Sequence, residues 1–118
     1  RGLAIQRLVT HFDQNGDQWR IKPNIRQMVN FQKQNLLESF GALGTFDVVF
    51  CRNVLIYFDA DSKRKVLTRL SQQTATDGYL VMGAAETVVG LSTDYAPVEG
   101  RRGLYARASN AVARTAAA

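Results

Sequence analysis

The sequence predicts an α/β fold, and three observations carry that reading. Phe46-Asp47-Val48-Val49-Phe50-Cys51 is an apolar run rich in β-branched and aromatic residues, the length of one buried strand. Asp59-Ala60-Asp61-Ser62 then supplies a helix start. A second run, residues 79–83, completes a strand–helix–strand pattern of the kind that builds parallel sheets. Arg52-Asn53 stands at the carboxyl end of the first strand, where ligands sit in parallel α/β sheets. A buried strand ending in two strong hydrogen-bonding side chains therefore reads as a site.

At 118 residues the chain is read as one domain, long enough for a single core but short for a complete α/β enzyme. Apolar content of 46% and charged content of 21% fit an ordinary soluble globular protein. No apolar run approaches the ~20 residues of a membrane span, and no signal-peptide pattern opens the chain. The single cysteine, Cys51, excludes an internal disulfide and points to a reducing, cytoplasmic setting. A net charge of +5 favours an acidic partner: nucleic acid, anionic lipid or a glutamate-rich protein surface. The charges are spread rather than blocked, and no aromatic-basic stacking platform accompanies them, which argues against nucleic acid.

Leu3, Ile5, Leu8, Val9 and Phe12 lie close to helical spacing and predict an amphipathic helix over residues 3–12. His11, the only histidine, has no second ligand of the usual kind; it is read as a part-exposed helix residue, and no metal is expected. Asn15-Gly16-Asp17 signals a turn, and Trp19 and Ile21 alternate with Arg20 and Lys22 as in a small hairpin. Pro23-Asn24-Ile25-Arg26 suits one helical turn. Val29-Asn30-Phe31 opens another strand running towards Gln34, and Asn35-Leu36-Leu37 closes it. Gly41 and Gly44 bracket a loop before the strand at residues 46–51.

The helix beginning at Asp59 is expected to run to about Ala75, with Val66, Leu67 and Leu70 on one face and Lys63, Arg64, Lys65 and Arg69 mostly elsewhere. Asp77-Gly78 ends it, and the strand at 79–83 leads to Ala84-Ala85-Glu86-Thr87 at its carboxyl end. Residues 95–99 and 103–107 read as a hairpin around Gly100-Arg101-Arg102-Gly103. The alanine-rich tail, 109–118, is expected to fray. This order is the grammar of the second half of a Rossmann-like sheet.

The run from Phe46 through Cys51-Arg52-Asn53 to Tyr57-Phe58 closely resembles the signature of the bacterial chemotaxis receptor methyltransferases, the CheR-type enzymes. The likeness extends upstream through Val29-Asn30-Phe31 and Asn35-Leu36-Leu37. Downstream it takes in Asp77-Gly78-Tyr79-Leu80, Met82-Gly83, Glu86 and Leu104-Tyr105-Ala106. The resemblance implies a partial Rossmann-like class I methyltransferase sheet with an antiparallel C-terminal hairpin. Residues 1–108 would be the C-terminal portion of that domain, with 1–28 an insert similar to the family's β-subdomain. The implied function is methyl transfer from S-adenosyl-L-methionine to glutamates on the acidic methylation helices of chemoreceptors, leaving S-adenosyl-L-homocysteine.

By the same resemblance, Asn35 and Leu36 border the adenine of the cofactor, and Arg52 and Asn53 line its pocket. Tyr57 would lie near the methyl group and orient the incoming carboxylate. Those residue types suit the roles. An amide beside an apolar wall can read an adenine edge. Transfer from a sulfonium to a carboxylate neutralises both charges, so it asks for alignment and desolvation more than acid–base help. Arg52 could grip the cofactor's carboxylate or steer an acidic substrate. Cys51 reads as a small buried strand residue rather than a nucleophile, and Glu86 as a structural hydrogen-bonding residue rather than a base.

The family's N-terminal helical domain, its first strand with a glycine-rich loop, and the acidic residue after its second strand have no counterpart in these residues. The strand at Phe46 is therefore expected to keep an unpaired apolar edge, as in a truncated fragment of such an enzyme, a homodimer joined across that edge or a swapped assembly. The chain by itself is expected to bind cofactor poorly and turn over little. The competing function is a non-catalytic module, derived from the same fold, that docks a receptor or regulator.

Overall fold

The computed structural model describes residues 2–108, so the tail expected to fray lies outside the described residues. The chain divides into two compact units, with the boundary between Lys33 and Gln34. In the first unit, helix α1 spans Ile5–His11. It stops one residue short of the expected end because Phe12 turns extended (φ −126°, ψ 153°) and opens strand β1, Phe12–Asn15. Strand β2, Gln18–Ile21, pairs antiparallel with β1, and Asn15 faces Gln18 across the turn. Gly16 carries the left-handed conformation that turn needs, at φ +66°. Helix α2, Pro23–Arg26, is the single turn expected, with proline at its first position.

The strand expected at Val29 to Gln34 does not form. These residues enter neither sheet, and Val29 and Phe31 are 50% and 74% exposed. A strand is a property of a pair, and an apolar pattern without a ladder partner leaves its backbone groups to water.

The second unit holds a four-stranded mixed sheet in the order β3-β4-β6-β5. Strands β3 (Phe46–Cys51) and β4 (Thr74–Met82) are parallel, joined through helix α3 (Ala60–Gln72). Strand β6 (Leu104–Arg107) runs antiparallel to β4 and to β5 (Tyr95–Pro97), which is the predicted C-terminal hairpin. Asp59 caps α3 by accepting from the Ser62 N–H at 2.8 Å. Val66, Leu67 and Leu70 of α3 are buried as expected, and with Leu80, Met82, Tyr95 and Tyr105 they form the core.

At the α3–β4 junction two boundaries differ from the sequence reading, and the hairpin strands are shorter than the expected 95–99 and 103–107. The helix ends at Gln72 rather than near Ala75, and β4 starts at Thr74 rather than Tyr79. Phe46 pairs with Thr74 and Val48 with Tyr79, so Asp47 alone faces residues 75–78. Asp77-Gly78 is absorbed into this bulged ladder instead of ending the helix. A Cβ on Gly78 would lie 2.7 Å from the Asp47 carbonyl oxygen, so the close approach needs glycine. Strand β3 also differs from the fully buried strand expected: Phe46, Val48 and Phe50 are 42%, 46% and 72% exposed. Its outer edge pairs with no described strand, and this is the unpaired apolar edge anticipated from the sequence.

Candidate functional site

The carboxyl ends of β3 and β4 lie side by side, with Cys51 opposite Met82, and the residues after each strand meet there. Glu86 ties them together. Its Oε1 accepts from the Asn53 N–H at 2.6 Å and the Gly83 N–H at 3.0 Å, and its Oε2 accepts from the Leu55 N–H at 3.0 Å. The Glu86 N–H in turn donates to the Gly83 carbonyl at 3.0 Å, closing the turn from the other side. Partial burial pushes the Glu86 carboxyl up, but the N–H donors of Asn53, Gly83 and Leu55 outweigh it and hold the group below its ordinary value. An ionised carboxylate saturated with backbone donors is a poor base. Its role is structural, as the sequence reading had it.

Asn53 adopts φ +59°, the left-handed region that asparagine tolerates better than most residues. Its side chain packs over Gly83: a Cβ there would collide with Asn53 Oδ1 and come within 2.8 Å of Glu86 Oε1. Glycine at 83 is what allows the two loops to close. Cys51, buried at the end of β3, has its thiol pushed from an ordinary 9.0 up to about 11 by desolvation and by the Glu86 charge. It is a neutral packing residue at physiological pH, in keeping with the strand role assigned to it.

Arg52 projects to the surface and, among the described residues, its guanidinium makes no hydrogen bond or ion pair. Tyr57 ends the 3-10 turn Leu55–Tyr57 and is 81% exposed. Asn35 shapes a separate turn: its Oδ1 accepts from the Leu37 N–H at 3.0 Å, and its carbonyl accepts from Glu38 at 3.1 Å. Leu36, half-buried, packs against the core, and its carbonyl takes a long 3.5 Å bond from Arg69 of α3. The structure thus gathers Asn53, Gly83 and Glu86 into one cluster beside Arg52. No hydrogen bond links Asn35 to that cluster among the described residues. Gly83 is the member whose part sequence reasoning missed; a glycine at the end of an apolar strand is a signal for close backbone approach.

Residues 1–104 match the family model described as the SAM binding domain of CheR methyltransferase. The chain belongs to this family. It is 46% identical over 109 residues to chemotaxis protein methyltransferase 1 of Pseudomonas aeruginosa, covering 92% of this chain and 40% of that protein. It is 44% identical over 105 residues to the chemotaxis protein methyltransferase of Vibrio anguillarum, covering 88% of this chain and 38% of the relative. A further relative, chemotaxis protein methyltransferase 1 of Vibrio cholerae, is 43% identical over the same length and to the same coverage. The chain therefore spans about two fifths of the length of these relatives. Among the described residues, no helix is long and apolar enough to cross a membrane.

Proposed function

We propose that this chain is part of an S-adenosyl-L-methionine-dependent protein-glutamate O-methyltransferase that acts in the cytoplasm on chemoreceptors. One observation carries the reading: the two parallel strands of a CheR-family chain end in a single cluster, beside an Arg52 that is unpaired among the described residues. The donor set suits the cofactor. Asn35 spends its Oδ1 on Leu37 and keeps its amide N–H groups for the ring nitrogens of adenine, while Leu36 offers an apolar wall. Among the described residues, Arg52 has no partner to give up before binding a carboxylate. Asn53, its side chain packed over Gly83, would line the cofactor's pocket.

When bound, S-adenosyl-L-methionine supplies an electrophilic methyl group and leaves as S-adenosyl-L-homocysteine. The protein's part is to orient. Tyr57, exposed and with a hydroxyl that bonds to none of the described residues, would align the glutamate carboxylate, and the +5 chain would attract the acidic methylation helix that carries it. The free edge of β3 supports a further part of the reading. Strand β3 has an unpaired backbone edge and exposes Phe46, Val48 and Phe50 on one face, which suits a larger assembly, and these 118 residues alone are expected to bind the cofactor weakly and turn over little.

The experiment is transfer of radiolabelled methyl groups to a purified chemoreceptor signalling fragment by the protein encoded in the complete reading frame. Base-labile counts on receptor glutamates are expected, reduced at least tenfold by Arg52→Ala and by Tyr57→Phe. Receptor capture without transfer would replace this reading with a docking module. A calorimetric titration giving micromolar cofactor affinity for a 118-residue monomer would contradict the assembly requirement.

A further inference from the structure

We infer that Glu86 is a positioning residue for the cofactor pocket: its carboxylate fixes the left-handed turn at Asn53 and thereby presents Arg52 and Asn53 together. The inference rests on the cofactor-pocket roles proposed for those two residues. Glu86 lies 33 positions from Asn53, yet one side chain takes N–H groups from three separate residues, on both sides of the Asn53 turn and at the end of β4. The Asn53 bond is the shortest of them, at 2.6 Å, as suits a charge-assisted bond. Asn53 sits at φ +59°, a sparsely populated conformation that even asparagine holds more firmly when its surroundings fix it. The surroundings that do so are Glu86, which takes the Asn53 and Leu55 N–H groups, and Gly83, over which the Asn53 side chain lies.

Both carboxylate oxygens are in use, so the clamp cannot be kept by an amide. In Glu86→Gln one oxygen becomes an NH2 group. Its hydrogens would face either the Leu55 N–H or the Asn53 and Gly83 N–H groups, setting donor against donor. Gly83→Ala disturbs the same geometry from the other side, since the new methyl group meets Asn53 Oδ1 and Glu86 Oε1 while leaving the charge in place.

The test has two arms that fail separately. In the 118-residue chain, long-range NMR couplings from the Asn53, Leu55 and Gly83 amides to the Glu86 side-chain carboxylate carbon are expected, and Glu86→Gln should shift the Asn53 backbone signals out of the left-handed range. In the protein from the complete reading frame, Glu86→Gln and Gly83→Ala should each raise the KM for S-adenosyl-L-methionine at least tenfold. The kcat at saturating cofactor should stay within threefold. Absent couplings, or a cofactor KM within twofold of wild type in Glu86→Gln (in Gly83→Ala should the first variant not fold), would overturn the positioning role. An inactive wild-type enzyme would instead overturn the methyltransferase reading, with the couplings still reporting whether the clamp exists.

Discussion

Tyr95→Phe tests the buried polar link between α3, β4 and β5, and its effect should change sign with pH. Thr74 has one hydroxyl proton, and its Oγ1 stands 2.7 Å from the Leu70 carbonyl, which can only accept. That proton is committed, so Tyr95, whose hydroxyl lies 2.7 Å from Thr74 Oγ1, is the donor in the second bond. The variant removes that donor at a place where Thr74 is 2% and Tyr95 4% exposed. The expected loss at neutral pH is about 1–1.5 kcal/mol, the net worth of one buried hydrogen bond.

The phenol adds a second effect. Burial pushes its pKa from an ordinary 10.0 up to about 12, against the opposing pull of the Arg107 charge. A raised folded-state pKa means stability that is complete below the unfolded value and is lost as pH climbs towards the folded one, because the unfolded chain sheds the proton first. About one unit above the unfolded value, the wild type has lost about 1.4 kcal/mol relative to the phenylalanine variant. The two contributions then cancel, so the variants should be equally stable near about pH 11 and reversed beyond it. Urea unfolding of both proteins followed by circular dichroism, from neutral to strongly alkaline pH, gives the difference directly; the other titrating groups are common to both and drop out. A difference that stays constant with pH refutes the burial of the phenol. A difference below about 0.3 kcal/mol at neutral pH refutes the hydrogen bond.

Cys51 should resist alkylation: at about pH 8 a thiol at about 11 is about 100-fold less ionised than one at 9.0, so iodoacetamide should label the native chain at least that much more slowly than the urea-unfolded chain. Leu80→Ala should lower the unfolding free energy by about 2–5 kcal/mol, because Leu80 is fully buried in β4 between Val49 and Tyr105. Phe50→Ala, at a residue 72% exposed on the neighbouring strand, should cost less than about 0.5 kcal/mol in the monomer. Phe50→Lys should reduce any self-association that sedimentation detects for the wild type, since a charge on an exposed edge strand opposes pairing.

Much of the fold was legible in the sequence because the signals were local. The hairpin of β1 and β2 announced itself in Asn15-Gly16-Asp17, where a glycine at φ +66° satisfies a turn that few other residues enter. The face of α3 followed from the spacing of Val66, Leu67 and Leu70, and its start from Asp59. The α3–β4 junction was not legible in the same way. Asp77-Gly78 is a good turn signal, yet the ladder against β3 takes both residues into a bulge, where the closeness of Asp47 rather than a turn explains the glycine. At the site, Arg52 and Asn53 were visible as polar residues ending an apolar strand. The agent that fixes their backbone was not, since Glu86 is 33 residues from Asn53 and no periodic pattern records such a pairing.

By itself the sequence determined the α/β class, the parallel strand–helix–strand unit, the C-terminal hairpin and, through a signature of adjacent residues, the family. Each is encoded by short-range chemistry: side-chain period, caps, turns and contiguous motifs. The tertiary structure decided that Val29 to Gln34 is not a strand, that β3 presents Phe46, Val48 and Phe50 to solvent, and that one carboxylate joins the ends of β3 and β4. These depend on which backbone donors and acceptors find partners far along the chain, and a strand or a clamp exists only where both members of the pair are brought together.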